Sequence, residues 1–139
     1  SMQYIVRRAM AVKMAIVEED EMENGKRIML NLGHTIGHAI EKSTHELNHG
    51  EAVAVGMLLI SRVACRLGIL NLADEVAIEE LLLKLGFSFD LPVSMEEVLK
   101  ATHKDKKKDE GVINVVLPVE IGECEVRTMT FKAIERLFL

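Results

Sequence analysis

The sequence has no tryptophan, a single tyrosine and only 4% aromatic residues, and its net charge is −5. A nucleic-acid groove wants a basic face with aromatic rings for stacking, so no nucleic-acid partner is expected. The one basic cluster, Lys104 to Lys108, is interrupted by Asp105 and reads as a solvated loop. Long apolar runs are also missing: the longest, Ala52 to Ile60, is closed by Ser61 and Arg62, well short of the roughly 20 residues of a membrane-spanning helix. The N-terminus carries no basic-then-apolar secretion pattern. The expectation is a cytoplasmic protein with no membrane partner. The two cysteines, Cys65 and Cys124, form no C-x-x-C pair, which suits a reducing compartment and leaves them as bystanders. No G-x-G-x-x-G turn occurs, so no dinucleotide-binding α/β unit is expected within these residues.

What the chain does have is helix-forming sequence and 49% hydrophobic residues over a length of 139, enough for one domain with its own core. Helices are expected over Gln3 to Ile16, with a turn at Glu23-Asn24-Gly25, and over Ile28 to about Lys42. A third should begin near His49 or Gly50 and run through "EAVAVGMLLISRVACRL" to Gly68. Apolar nearly all round, it is expected to be the buried centre of a bundle. Asn71 is placed to cap a fourth helix ending at Gly86, and Ser94-Met95-Glu96-Glu97 is a capping-box pattern for a fifth, reaching toward His103. "VINVVLP" and "ECEVRTM", flanking "VEIG", read as a hairpin, and Thr130 starts a last helix. The fold class expected is mainly α: a helical bundle around a buried central helix, with a small β-hairpin near the C-terminus, as a single domain over residues 1–139.

Four of the five histidines fall between His34 and His49. Arg27, Asn31, His34, His38, Glu41 and His45 are spaced 4, 3, 4, 3 and 4 apart, one stripe on a 3.6-residue period. Solvated faces favour Glu, Lys and Gln, whereas guanidinium, amide and imidazole are groups that bind anions and metals. Gly33 and Gly37, four apart, offer a smooth strip where another helix can approach. His34 and His38 make the i, i+4 helical pair used to grip zinc, with Glu41 or His49 as a third ligand. Spacing alone leaves open which histidines bind.

The segment "RIMLNLGHTIGHAIE", followed by "HGEAVAVGM" and supported by "DEMENGKR", "DKK" and "VINVVLPVEIG", resembles the 3-dehydroquinate synthase family over nearly the whole chain. That resemblance implies an enzyme with an N-terminal α/β domain for NAD and a C-terminal helical domain for the metal, of which this chain is similar only to the second. It implies His34 and His49 as ligands of Zn2+, or of another divalent ion such as Co2+. The third ligand would be a Glu in an E-x-x-K segment without counterpart here. His38 becomes a substrate-contacting and proton-handling residue, and Glu23 a second proton acceptor. Lys13, Arg27, Asn31 and Lys106, with Lys107 beside it, correspond to positions that hold the carboxylate, hydroxyls and phosphate of a sugar phosphate. The resemblance implies conversion of 3-deoxy-D-arabino-heptulosonate 7-phosphate to 3-dehydroquinate and phosphate, by a homodimer when intact, and predicts that this chain alone is inactive. His45 and His103 are assigned to solvent. The rival readings are a related sugar phosphate cyclase, an iron-type polyol dehydrogenase, and a helical metal-binding module without catalysis.

Overall fold

The computed structural model describes residues 2–19, 30–105 and 111–138; the side chains at positions 13, 16–19 and 103–105 lie outside the described set. Helix α1, Met2–Glu19, belongs to a first compact unit, residues 1–31. Its described side chains are exposed. The helix expected over Gln3 to Ile16 is therefore present and longer at both ends.

Residues 32–139 form the second unit. Its order is α2 (His34–Ser43), α3 (His49–Arg66), α4 (Leu72–Lys84), α5 (Met95–Asp105), β1 (Val112–Glu120), β2 (Glu123–Thr130) and α6 (Phe131–Phe138). The organising element is α3, as its apolar sequence predicts: Ala52, Ala54, Val55, Leu58, Ile60, Val63 and Ala64 are all buried, and α2, α4, β1 and α6 pack against it. Ile60, Val63 and Ala64 meet Leu99 of α5, Ile113, Val115 and Leu117 of β1, and Phe131 and Ile134 of α6. Further toward its N-terminus, Ala52 and Val55 meet Ile36, Ala39 and Ile40 of α2 and Val98 of α5. Removing such apolar surface from water supplies most of the folding free energy, at roughly 25 cal/mol per Å².

Strands β1 and β2 are an antiparallel hairpin in register from Val112 with Thr130 to Pro118 with Cys124, with a slip between Pro118 and Glu120. The hairpin arrives where the two β-branched segments predict it, but β1 continues to Glu120, so the turn is tighter than "VEIG" suggests. A backbone N–H at that turn, from Ile121, donates to the Asp74 carboxylate at 3.3 Å, tying the hairpin to the first turn of α4. Among the described residues no helix is long and apolar enough to cross a membrane.

One boundary differs from expectation. The helix expected from Ile28 to Lys42 begins only at His34, after a short 3-10 turn at Leu30 and Asn31. Gly33 sits at φ +77°, a left-handed conformation that ends any continuous helix through it. A Cβ on Gly33 would lie 2.6 Å from the Met57 side chain and 2.7 Å from its backbone nitrogen, so both backbone conformation and neighbour demand glycine there. The 3.6-residue stripe is consequently shorter than the spacing suggests, with only His34, His38 and Glu41 on α2. His45 lies in the link after it and is exposed.

Candidate metal centre

The α2 and α3 helices form an αα-hairpin whose separation is set by glycine. A Cβ on Gly56 would lie 2.2 Å from the Gly33 carbonyl oxygen and 2.9 Å from the Gly37 nitrogen, and one on Gly37 would lie 3.1 Å from the Val53 Cα. The strip that Gly33 and Gly37 were expected to offer is occupied by α3, which presents its own glycine to it. At the connected end, Asn48 caps α3 with a full capping box. The Glu51 N–H donates to Asn48 Oδ1 at 2.8 Å, and the Asn48 N–H donates to Glu51 Oε2 at 3.1 Å. That cap fixes where α3 starts and places His49 in its first turn.

The result is a cluster of three imidazoles. Ring centres are 5.7 Å apart for His34 and His38, 5.7 Å for His34 and His49, and 6.0 Å for His38 and His49. Two histidines sharing a zinc ion through bonds of about 2.0–2.1 Å in a tetrahedral arrangement would have ring centres roughly 5 Å apart. The observed separations are longer than that value, and His34 is not among the ligand atoms that lie within 4.8 Å of one another, so the rings surround a common region but side-chain rotation is needed for His34 and His49 to share a divalent cation.

Hydrogen bonds distinguish the three rings. His34 Nδ1 faces the Leu32 carbonyl oxygen at 3.2 Å, and His49 Nδ1 faces Glu41 Oε1 at 2.5 Å. Both partners can only accept, so Nδ1 is the donor in each contact and Nε2 is the nitrogen left free of it. His38 is exposed and has only ring contacts among the described residues. The tightest set of possible ligand atoms among the described residues is His38, Glu41 and His49, all within 4.8 Å of one another; His34 lies outside it. Glu41, one of the two third ligands the spacing allows, thus stands in the cluster, but in contact with a histidine.

The other expected site residues divide by position. Asn31 stands in the 3-10 turn and is exposed. The side chains of Lys13 and His103 lie outside the described set, as do Glu23, Arg27, Lys106 and Lys107 altogether. The contact between Glu41 and His49 was not read from the sequence. Beside the N-terminus of α3 runs an open cleft lined by Leu47, Asn48, Glu51, Phe87, Ser88 and Asp90 among others. No imidazole faces it, and Asn48 and Glu51 are taken up by the cap while Ser88 and Asp90 bond each other. Of the titratable groups outside the cluster, Cys124 has its thiol pKa pushed up, first by burial and then by the neighbouring Glu123 carboxylate.

Comparison with known proteins places this arrangement. The family described as 3-dehydroquinate synthase C-terminal matches residues 1–108. A 3-dehydroquinate synthase of Pyrococcus furiosus is 42% identical over 131 residues, spanning 94% of this chain and 38% of the relative. One from Syntrophotalea carbinolica is 44% identical over 129 residues, spanning 88% and 34%. The chain thus covers little more than a third of these relatives. Among solved structures, a 2-deoxy-scyllo-inosose synthase complexed with carbaglucose-6-phosphate, NAD+ and Co2+ superposes with a TM-score of 0.83 at 26% identity, over 96% of this chain and 39% of that one. A 2-epi-5-epi-valiolone synthase from Streptomyces hygroscopicus with NAD+ and Zn2+ bound gives 0.80 at 25% identity, over 97% and 38%. Matched by the family over residues 1–108 and sharing its bundle and hairpin with sugar phosphate cyclases, the chain belongs to the 3-dehydroquinate synthase C-terminal family.

Proposed function

We propose that this chain is the metal- and substrate-binding part of a 3-dehydroquinate synthase, which converts 3-deoxy-D-arabino-heptulosonate 7-phosphate to 3-dehydroquinate and phosphate. The observation that carries the proposal is the convergence of His34, His38 and His49 from two helices in a chain of this family. Curated relatives at 36–44% identity are named 3-dehydroquinate synthases, whereas the synthases of other cyclitols share 25–26%. That difference favours this reaction over a related cyclase.

In this reading His34 and His49 hold the cation through Nε2, each with Nδ1 tied to an oxygen acceptor, and a Glu of the longer protein completes the shell. A bound divalent ion supplies Lewis acidity, polarising an alcohol or carbonyl oxygen of the substrate. His38, exposed and without a hydrogen-bond partner among the described residues, is left to take or give a proton, with Glu23 as a second acceptor. Lys13, Arg27, Asn31 and Lys106 hold the carboxylate, hydroxyls and phosphate, anionic and polar groups that cationic and amide side chains recognise by charge-assisted hydrogen bonds. NAD binds to the N-terminal part of the longer protein, and the whole works as a cytoplasmic homodimer.

Replacement of His34 or His49 by alanine should abolish zinc retention, measured by metal analysis after dialysis. His38→Ala should keep zinc and, in the longer protein, lose turnover of heptulosonate phosphate by about 10²-fold or more, the usual contribution of a positioned proton-transfer group. Zinc retained by His34→Ala and lost by His38→Ala would move the centre to His38, Glu41 and His49. The chain alone should turn over nothing, with or without NAD and zinc; measurable release of phosphate would refute the division of labour.

A further inference from the structure

We propose that Glu41 is a positioning residue: its carboxylate accepts the Nδ1–H of His49 and holds that ring, leaving Nε2 as the nitrogen free to coordinate. The distance between His49 Nδ1 and Glu41 Oε1 is 2.5 Å. Two atoms bound to one tetrahedral zinc at about 2.0–2.1 Å stand roughly 3.3 Å apart. The Glu41 and His49 atoms stand closer than two ligands of one ion would, the separation of a charge-assisted hydrogen bond.

The covalent frame explains why such a support is needed. His49 is the more open of the pair, its side chain 59% exposed against 33% for Glu41, and it stands in the first turn of α3, where no preceding helical turn packs beside it. An unsupported imidazole there would sample several rotamers and both tautomers. His34 solves the same problem differently, through the Leu32 carbonyl in its own chain segment. Glu41 reaches His49 from the last turns of α2, so one hydrogen bond also spans the two helices. Carboxylate–histidine pairs behind a metal ligand act in this way, fixing the tautomer and raising the basicity of the coordinating nitrogen.

The inference rests on the reading of His34 and His49 as cation ligands, so its test has one arm that needs no metal. In the metal-free full chain, long-range proton–nitrogen NMR at a pH where the imidazole resonances no longer shift should show His49 with the proton on Nδ1. Glu41→Gln, whose amide oxygen still accepts, should keep that tautomer, and Glu41→Ala should move the proton toward Nε2. In the second arm, zinc affinity by chelator competition should fall about 10–100-fold in Glu41→Ala and by a smaller factor in Glu41→Gln. An unchanged tautomer in Glu41→Ala overturns the proposal. So does a Glu41→Gln variant as impaired in zinc binding as Glu41→Ala, which would make Glu41 a ligand. If the expected tautomers appear but the wild-type chain binds no zinc, the hold of Glu41 on His49 stands and it is the metal reading that falls.

Discussion

The α2–α3 hairpin has two regions built to opposite specifications. Along the seam, Gly33, Gly37 and Gly56 bring backbone against backbone with no room for a methyl group at Gly56, and the surrounding Ile36, Ala39, Ile40, Ala52 and Val55 are buried. At the histidine end the side chains are polar and His38 and His49 are exposed. The dry seam leaves little room for variation in spacing, least of all at Gly56, and the wet end depends on that spacing. What the contrast teaches is that the histidine separations near 6 Å are a property of the glycines as much as of the histidines: an imidazole cluster on two helices is only as precise as the contact that holds the helices.

The sharpest way to break the contrast is Gly56→Ala. Its methyl would meet a carbonyl oxygen of the facing backbone at 2.2 Å, so α2 and α3 must separate, at a cost of about 3 kcal/mol or more, outweighing the roughly 1 kcal/mol that alanine gains in helix propensity. Denaturant unfolding should show the loss, and zinc affinity should fall although no ligand is touched. Gly37→Ala meets the Val53 Cα at 3.1 Å and needs a shift of only a few tenths of an ångström, so its cost should be nearer 1 kcal/mol. If the two variants are equally stable, the seam is not what sets the spacing. Asn48→Ala acts at the other end by removing the cap of α3, for a similar loss of about 1 kcal/mol, and should weaken zinc binding through His49 while leaving the seam packed. The smallest effect is expected away from both regions. Cys124, its thiol held protonated by burial and by Glu123, should be alkylated slowly near neutral pH. Glu123→Gln should speed the reaction modestly, because removing the carboxylate lowers the thiol pKa and raises the thiolate fraction.

Much of this architecture was legible in the chain. The buried central helix followed from the apolar run beginning at Ala52, the fourth and fifth helices from their capping residues Asn71 and Ser94, and the hairpin from two β-branched segments. The start of α2 was not legible. Asn31, His34, His38 and Glu41 keep helical spacing across Gly33, and a periodic pattern cannot tell a glycine inside a helix from one in a left-handed turn. Contact with Met57 and Gly56, far along the chain, decides it. The site was legible in part: clustering and the i, i+4 pair pointed to His34 and His38, but that His49 returns to within 6.0 Å of both depends on how the link between the helices turns. The pairing of Glu41 with His49 carried no signal of its own, since acidic residues are ordinary on a polar helical face.

Five residues, Thr44 to Asn48, join the end of α2 to the start of α3, so the imidazoles and the glycines that space them all come from one contiguous stretch of the chain. Closing so short a loop costs little entropy compared with gathering ligands from distant segments, and contacts between near neighbours in sequence form fast. The hairpin is thus closed by contacts local in sequence, and its buried core is completed by Val98 of α5 rather than by buried residues of the later β1, β2 or α6.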